Sequence, residues 1–170
     1  MINKICFIAP SGYGKTTAIN LLAKDYNIKN IKIAEPLYDL QSRFYDYINA
    51  KLIGEQDGEL LQFFGAKIRK INSNFLLDKF IEQVKKLSKQ FCIITNDDCR
   101  TPDYLTLKDI GFTFVGIRGF CRTRIDQTKA DPNNSLEWQQ IDFCDFYVNN
   151  FGTMDEYKEE LNKLMIKLNG

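Results

Sequence analysis

The stretch Ile5–Thr17, Ile-Cys-Phe-Ile-Ala-Pro-Ser-Gly-Tyr-Gly-Lys-Thr-Thr, constrains this chain more than any other. It reads as a buried strand, a glycine-bearing loop and a helix start. The loop approximates the phosphate-binding spacing G-x-x-x-x-G-K-[ST], with Ala9 where the first glycine usually stands. A phosphate needs close approach of main-chain N–H groups, and Gly12 and Gly14 supply both the room and backbone torsions that other residues avoid. The following helix adds the positive end of its dipole. Ser11, Gly12, Tyr13, Gly14, Lys15, Thr16 and Thr17 are therefore candidate ligands of nucleotide phosphates. Lys15 can reach the outer phosphates, and the Thr16 hydroxyl suits Mg²⁺. The bland alternative is an ordinary strand–turn–helix with a chance Gly-Lys-Thr. It leaves unexplained why the three elements occur in the order phosphate binding requires.

A chain of 170 residues suits one domain with a real core, here residues 1–170. Hydrophobic residues at 44% and charged residues at 26% are normal for a soluble globular protein. The net charge of +1 gives no global field toward nucleic acid or membrane, so any basic function must be local. No apolar run approaches the roughly 20 residues of a membrane span, and the amino terminus reads as a strand rather than an export signal. A cytoplasmic location is expected. The five cysteines lack C-x-x-C spacing and read as reduced core residues. There is no histidine, which removes the usual neutral-pH acid–base group.

Residues 2–9 are apolar on both parities, as a strand covered on both faces requires. A helix is expected over 15–26, a turn at 27–30 and a second strand over 31–34. Helical periodicity follows from Pro36, breaks at Gly54–Gly58, and resumes over 59–72 with Leu60, Leu61, Phe64, Ile68 and Ile71 inward. Gln62 and Arg69 share a second stripe of that helix. A further helix begins at Asn74. Strands are expected over 91–95, 113–117 and 146–148. Thr101 is expected to cap a short helix with Pro102 at its first position. Thr153 and Glu156 form a capping box at the head of the closing helix. The most polar stretch, 118–134, reads as a lid. Strands alternating with helices, without hairpin signals, imply an α/β fold: a parallel sheet of about five strands with helices on both faces. Right-handed crossovers would bring the phosphate loop and the cluster Asn96-Asp97-Asp98-Cys99-Arg100 together at the carboxyl ends of the strands.

Phosphoryl transfer asks for positioning, positive charge and Mg²⁺. The chain offers Lys15, Arg69, Arg100, Arg118, Arg122 and Arg124 around such a cleft, and Thr16 with Asp98, preferred to Asp97, for the metal. The missing histidine favours a phosphate acceptor, already anionic at neutral pH, over a hydroxyl that needs a base; an aspartate base keeps the hydroxyl reading open.

Several segments in order resemble the P-loop nucleoside monophosphate kinases, and most closely the bacteriophage-type deoxynucleoside monophosphate kinases. They are Gly12-Tyr13-Gly14-Lys15-Thr16, Ala34-Glu35-Pro36-Leu37, Leu60 to Arg69, Asp98-Cys99-Arg100 with Pro102, Asp131 to Glu137, and Asn149-Asn150-x-Gly152-Thr153. The resemblance implies a three-layer P-loop kinase fold with an acceptor-binding helical part at about 36–73 and a lid at about 118–134. It implies ATP as donor, Mg²⁺ on Thr16 and Asp98, and a (deoxy)nucleoside monophosphate as acceptor. Arg69 and Arg100 would hold the acceptor phosphate. Arg118, Arg122 and Arg124 would close over the transferring group. Asn150 to Thr153, with Gly152, would lie beside adenine. Glu35, Leu37, Gln62, Glu137 and Trp138 are further acceptor-side candidates; Glu35 equally suits a strand end, and Trp138 equally suits the core. A phage-encoded enzyme would work in the host cytoplasm, on a small-molecule nucleotide, as a monomer or a homodimer.

The chain departs from the pattern at Ala66-Lys67, at Tyr104 and in lacking a histidine near Asp131, all toward the acceptor side. Two other readings stand beside the first. One is a kinase of another small phosphorylated metabolite or of a modified base in nucleic acid. The other is a nucleotide-binding regulator without turnover.

Overall fold

The computed structural model describes residues 3–54, 56–120 and 142–169. Its elements are β1 (Asn3–Ile8), α1 (Lys15–Leu22), β2 (Ile28–Asn30), α2 (Glu35–Tyr47), α3 (Gly58–Ile71), α4 (Phe75–Leu87) and β3 (Ile93–Asn96). A 3₁₀ turn (Thr101–Asp103) then leads into α5 (Tyr104–Asp109), followed by β4 (Thr113–Gly119), β5 (Phe146–Asn150) and α6 (Met154–Asn169). The strands form one five-stranded sheet in the order β2-β3-β1-β4-β5. Every pairing is parallel. This is the expected fold class, a central parallel sheet between two helical layers.

Pleating divides the sheet's side chains between two cores. Ile5, Phe7, Val115, Ile117 and Val148 meet Ala18, Ile19 and Leu22 of α1 and Tyr157, Leu161 and Met165 of α6. Cys6, Ile8, Ile94 and Phe114 face the other way, onto Leu37 of α2, Leu76, Leu77, Phe80 and Val84 of α4, and Leu107 of α5. The central strand β1 is thus apolar throughout Ile5–Ile8 because both faces are covered. Helix α3 lies outside this core: none of its residues is fully buried, and Leu61, Phe64 and Ile68 supply its inward contact. Ile71, expected inward, is its last residue and is exposed.

The second strand lies earlier than expected, at Ile28–Asn30 rather than 31–34. The ladder onto β3 does not run on as a strand after Asn30, because side chains take over the backbone groups. The Ile31 N–H still donates to the Thr95 carbonyl, but Asn96 Nδ2 donates to the Ile31 carbonyl, and the Asp98 carboxylate accepts from the N–H groups of Ile33 and Ala34. Ile31 and Ile33 are buried all the same, which is why their alternation mimics a strand. The short helix after β3 likewise begins as a 3₁₀ turn, with Arg100 rather than Thr101 in the flanking position.

Two helix ends match their local chemistry. Gly111, at φ +86°, ends α5; its N–H donates to the Lys108 carbonyl and the Phe112 N–H to the Leu107 carbonyl, the paired bonds of a Schellman turn. At the head of α6 the Glu156 carboxylate accepts from the Thr153 N–H at 2.6 Å, and the Glu156 N–H donates to the Thr153 hydroxyl at 3.2 Å, completing the capping box. Cys6, Cys92, Cys99 and Cys144 are free thiols. Burial pushes the Cys6 thiol well up and the Cys144 thiol to about 12, so both stay protonated and unreactive.

Candidate active site

At the carboxyl end of β1 the chain turns through the glycine loop into α1 and opens a cleft of about 720 Å³. Ser11, Gly12, Gly14, Lys15, Thr16 and Thr17 line it. Gly12 and Gly14 hold φ of +83° and +98°, the left-handed region that favours glycine. Two residues from the far end of the chain brace the loop from behind: Asn150 Nδ2 donates to the Tyr13 carbonyl and the Tyr157 hydroxyl to the Gly14 carbonyl, each at 3.1 Å. Tying these oxygens back keeps them from a phosphate they would repel. Lys15 Nζ donates to the carbonyls of Ala9 and Pro10, which holds its ammonium over the loop. Tyr13 packs its side chain in the core, which leaves only its main chain on the loop.

The brace makes Gly14 doubly constrained. A Cβ there would lie 2.5 Å from Asn150 Nδ2, besides the cost of a positive φ. Gly14→Ala is expected to lower stability by about 1–3 kcal/mol and to weaken ATP binding at the same time. Thermal unfolding and nucleotide titration check both effects; a variant as stable as the parent would show that the loop is not held as described.

The two adjacent aspartates do different work. The Thr16 hydroxyl donates to Asp97 Oδ2 at 3.3 Å, and Asn30 Nδ2 donates to Asp97 Oδ1 at 3.1 Å. Asp98, expected beside Thr16, spends its carboxylate elsewhere: on the N–H groups of Ile33 and Ala34, each at 2.9 Å, and on Asn96 Nδ2 at 2.7 Å. Thr16 thus meets Asp97, the lesser of the two candidates for the metal, while both aspartates line the cleft. Successive residues leave the end of β3 in different directions, and only the first of the two faces the loop. Burial pushes the Asp98 carboxyl above the usual aspartate range, against the lowering effect of its three donors.

A test separates the pair. Asp98→Asn puts an amide donor against the N–H of either Ile33 or Ala34, which meet different carboxylate oxygens, and is expected to cost about 1–3 kcal/mol of stability. Because its folded pKa is raised, Asp98 binds its proton more tightly folded than unfolded. Its contribution to stability therefore declines as pH rises from about 4 through the raised value, and Asp98→Asn removes that decline. Asp97→Asn is expected to leave unfolding nearly unchanged while raising the Mg²⁺ needed for turnover. Equal behaviour of the two variants in melting and Mg²⁺ titration would overturn the division.

Of the expected cations, Lys15 and Arg100 line the cleft. Arg69 does not. Its guanidinium is held bidentately by Asp103, Nη1–Oδ1 at 3.1 Å and Nη2–Oδ2 at 3.3 Å, and that carboxylate is fully buried. Arg118, on β4 beyond the last paired residue of β1, lies over the Tyr147 ring at 4.0 Å from its centroid. Arg122, Arg124, Glu137 and Trp138 lie outside the described residues. Asn150 lines the cleft. Gly152 does not, although a Cβ on it would overlap the Glu156 carboxylate of the capping box. Glu35 and Gln62 are exposed away from the cleft lining, and Leu37 is buried in the core beside Gly65.

Residues that sequence reasoning did not single out also line the cleft: Lys32, Gln56 and Met154 among them. For Lys32 a signal existed. It follows β2 at the carboxyl edge of the sheet, where parallel α/β folds bind ligands. Placing the strand at 31–34 hid it as a mid-strand residue.

No family model matches the chain, and no curated protein matches it in sequence. Solved structures do. Dephospho-CoA kinase from Campylobacter jejuni is 18% identical, with a TM-score of 0.54 over 99% of this chain and 98% of that one. Shikimate kinase from Aquifex aeolicus is 16% identical, with a TM-score of 0.52 over 98% and 96%. The protein TT1252 from Thermus thermophilus is 12% identical, with a TM-score of 0.56 over 99% of each chain. At such identities the likeness establishes the architecture: the three-layer fold of the P-loop kinases. Among the described residues no helix is long and apolar enough to cross a membrane.

Proposed function

We propose that this protein is a phosphotransferase that moves the γ-phosphoryl group of ATP onto a (deoxy)nucleoside monophosphate, giving ADP and the diphosphate. The observation that carries the reading is the convergence of the braced loop with Lys15, the Thr16–Asp97 pair and Arg100 on one cleft. In this reading the loop N–H groups and Lys15 hold the β- and γ-phosphates. Thr16 and Asp97 are the oxygen ligands suited to Mg²⁺, which neutralises charge on the phosphates when bound. Arg100 meets the acceptor, and Asn150 sets the loop that the triphosphate wraps. Arg118, with Arg122 and Arg124, would supply charge as the site closes, and Glu137 and Trp138 would flank the acceptor.

The carboxylates favour an acceptor that is already an anion. Among the described residues lining the cleft, Asp97 is bonded to Thr16 and Asn30, and Asp98 to Ile33, Ala34 and Asn96. Each bond accepted leaves a carboxylate less available to take a proton from a hydroxyl, whereas a phosphate monoester needs no base. ADP release measured with Mg²⁺, ATP and each ribo- and deoxyribonucleoside monophosphate in turn tests the reading. Release with one or a few of them is expected; silence with all, in folded protein that binds ATP, would defeat it.

A second reading draws on Arg69. Held by Asp103, it leaves a monophosphate without one of the two guanidinium groups expected for it. That removes one feature particular to the nucleotide reading and leaves another phosphorylated metabolite as the alternative acceptor; the same assay extended to sugar and isoprenoid phosphates decides between them. ATP binding without product in either panel would mark a nucleotide-binding regulator.

A further inference from the structure

Two loops deliver one cation each to the cleft, and a single carboxylate joins them. Lys32 follows β2; Arg100 follows β3; both line the cleft. Between them Asp98, two residues before Arg100, accepts the N–H groups of Ile33 and Ala34, directly after Lys32. Asn96 reinforces the join through the Ile31 carbonyl at 2.9 Å. The Lys32 loop and the Arg100 turn are thus one rigid unit. Lys32 is half-buried, its ammonium 5.7 Å from the centroid of the Tyr38 ring, and it forms no ion pair among the described residues. The Tyr38 hydroxyl in turn meets Gln56, itself on the cleft wall, at 3.4 Å. β2 is two strands from β1, about 10 Å at ordinary strand spacing. An anion at Lys32 therefore lies beside the triphosphate held at Lys15, not on top of it.

We propose that Lys32 and Arg100 together bind the phosphate monoester of the acceptor, Lys32 taking the place that Arg69 gives up to Asp103. The proposal rests on the reading of the glycine loop as the ATP site. It assigns Lys32 as a specificity-determining residue, selecting acceptors that carry a phosphate over those that carry only a hydroxyl. Asp98 is a positioning residue that sets the distance between the two cations. A compact ammonium suffices here, since the planar fork of Arg100 can supply the bidentate contact.

The test separates this site from the donor site. The protein is first saturated with Mg²⁺ and an ATP analogue whose γ-phosphoryl group cannot transfer. Inorganic phosphate is then titrated calorimetrically into wild type, Lys32→Gln and Lys32→Arg. Lys32→Gln is expected to bind phosphate about 10- to 100-fold more weakly, as loss of a charged hydrogen-bond donor implies. Lys32→Arg should recover most of that loss, and all three should bind the analogue alike, which also shows that the variants are folded. Equal phosphate affinity in wild type and Lys32→Gln overturns the proposal. So does failure of analogue-loaded wild type to bind phosphate, or a loss of analogue affinity as large as the loss of phosphate affinity. The monophosphate assay reads separately: if no nucleoside monophosphate is phosphorylated, that choice of acceptor falls, while the phosphate titration still decides on Lys32.

Discussion

Lys15→Ala is expected to lower the rate of ADP formation by roughly 10²–10³-fold while leaving the thermal unfolding midpoint within a few degrees of wild type. Lys15 Nζ bonds the Ala9 and Pro10 carbonyls and is part-buried within the loop. Ala9 and Pro10 are buried, but Ala9 lines the cleft, and the room that the lost side chain leaves admits water to its carbonyl, so the fold loses little. A triphosphate loses more. In a cleft partly shielded from water, a fixed ammonium aimed at the oxygen where charge accumulates acts with little reorganisation, and its removal is felt chiefly in the transition state. The measurement is steady-state ADP release together with ATP binding by titration. A variant with unchanged turnover would remove the glycine loop from the mechanism and, with it, the reading of the site.

Arg69→Ala is the second large effect, and it falls on the fold before it falls on the chemistry. Asp103 is fully buried in the 3₁₀ turn that follows Arg100, and the Arg69 guanidinium holds both of its carboxylate oxygens. Breaking such a pair by removing one partner strands a charge away from water, at about 3–5 kcal/mol for a fully buried pair. The Arg69 side chain is 32% exposed, so water can reach the gap, and a cost of about 2–4 kcal/mol is expected. For a chain of this length that is a fall of roughly 4–16 °C in Tm. The turn also carries Arg100, so acceptor KM should rise alongside, with ATP affinity little changed. Calorimetric unfolding and acceptor titration distinguish the roles. A stable variant with raised acceptor KM would return Arg69 to direct contact with substrate; a destabilised one confirms it as the anchor of the Arg100 turn.

The same contrast shows why Arg69 and Arg100 parted company. Arg69 follows a glycine on an amphipathic helix and Arg100 precedes a proline in a polar turn, and nothing within three or four residues of either tells which one lines a cleft and which one meets a buried acid. Asp103 is thirty-four positions from Arg69. Only the packing of α3 across the turn before α5 brings them together.

What was legible from residue order alone was local. Gly12, Gly14 and Lys15 between an apolar run and an amphipathic one define the loop, because torsions, hydrogen bonds and dipole there involve neighbours in the chain. The capping box at Thr153 and Glu156 is local for the same reason. The five-stranded parallel sheet followed from the alternation of strands with helices, since short connections and right-handed crossovers leave few other arrangements. What the tertiary structure alone decided was the division of labour among equivalent-looking groups. Asp97 faces Thr16 while Asp98 clamps the Lys32 loop, because β2 lies against β3 and offers free N–H groups to one of the two carboxylates. Asn150 braces the phosphate loop because β5 and α6 return behind it. Such roles depend on which segment packs beside which. The carboxylate, amide or ammonium is the same in every candidate position, and only its neighbours across the fold make it a ligand, a clamp or a brace.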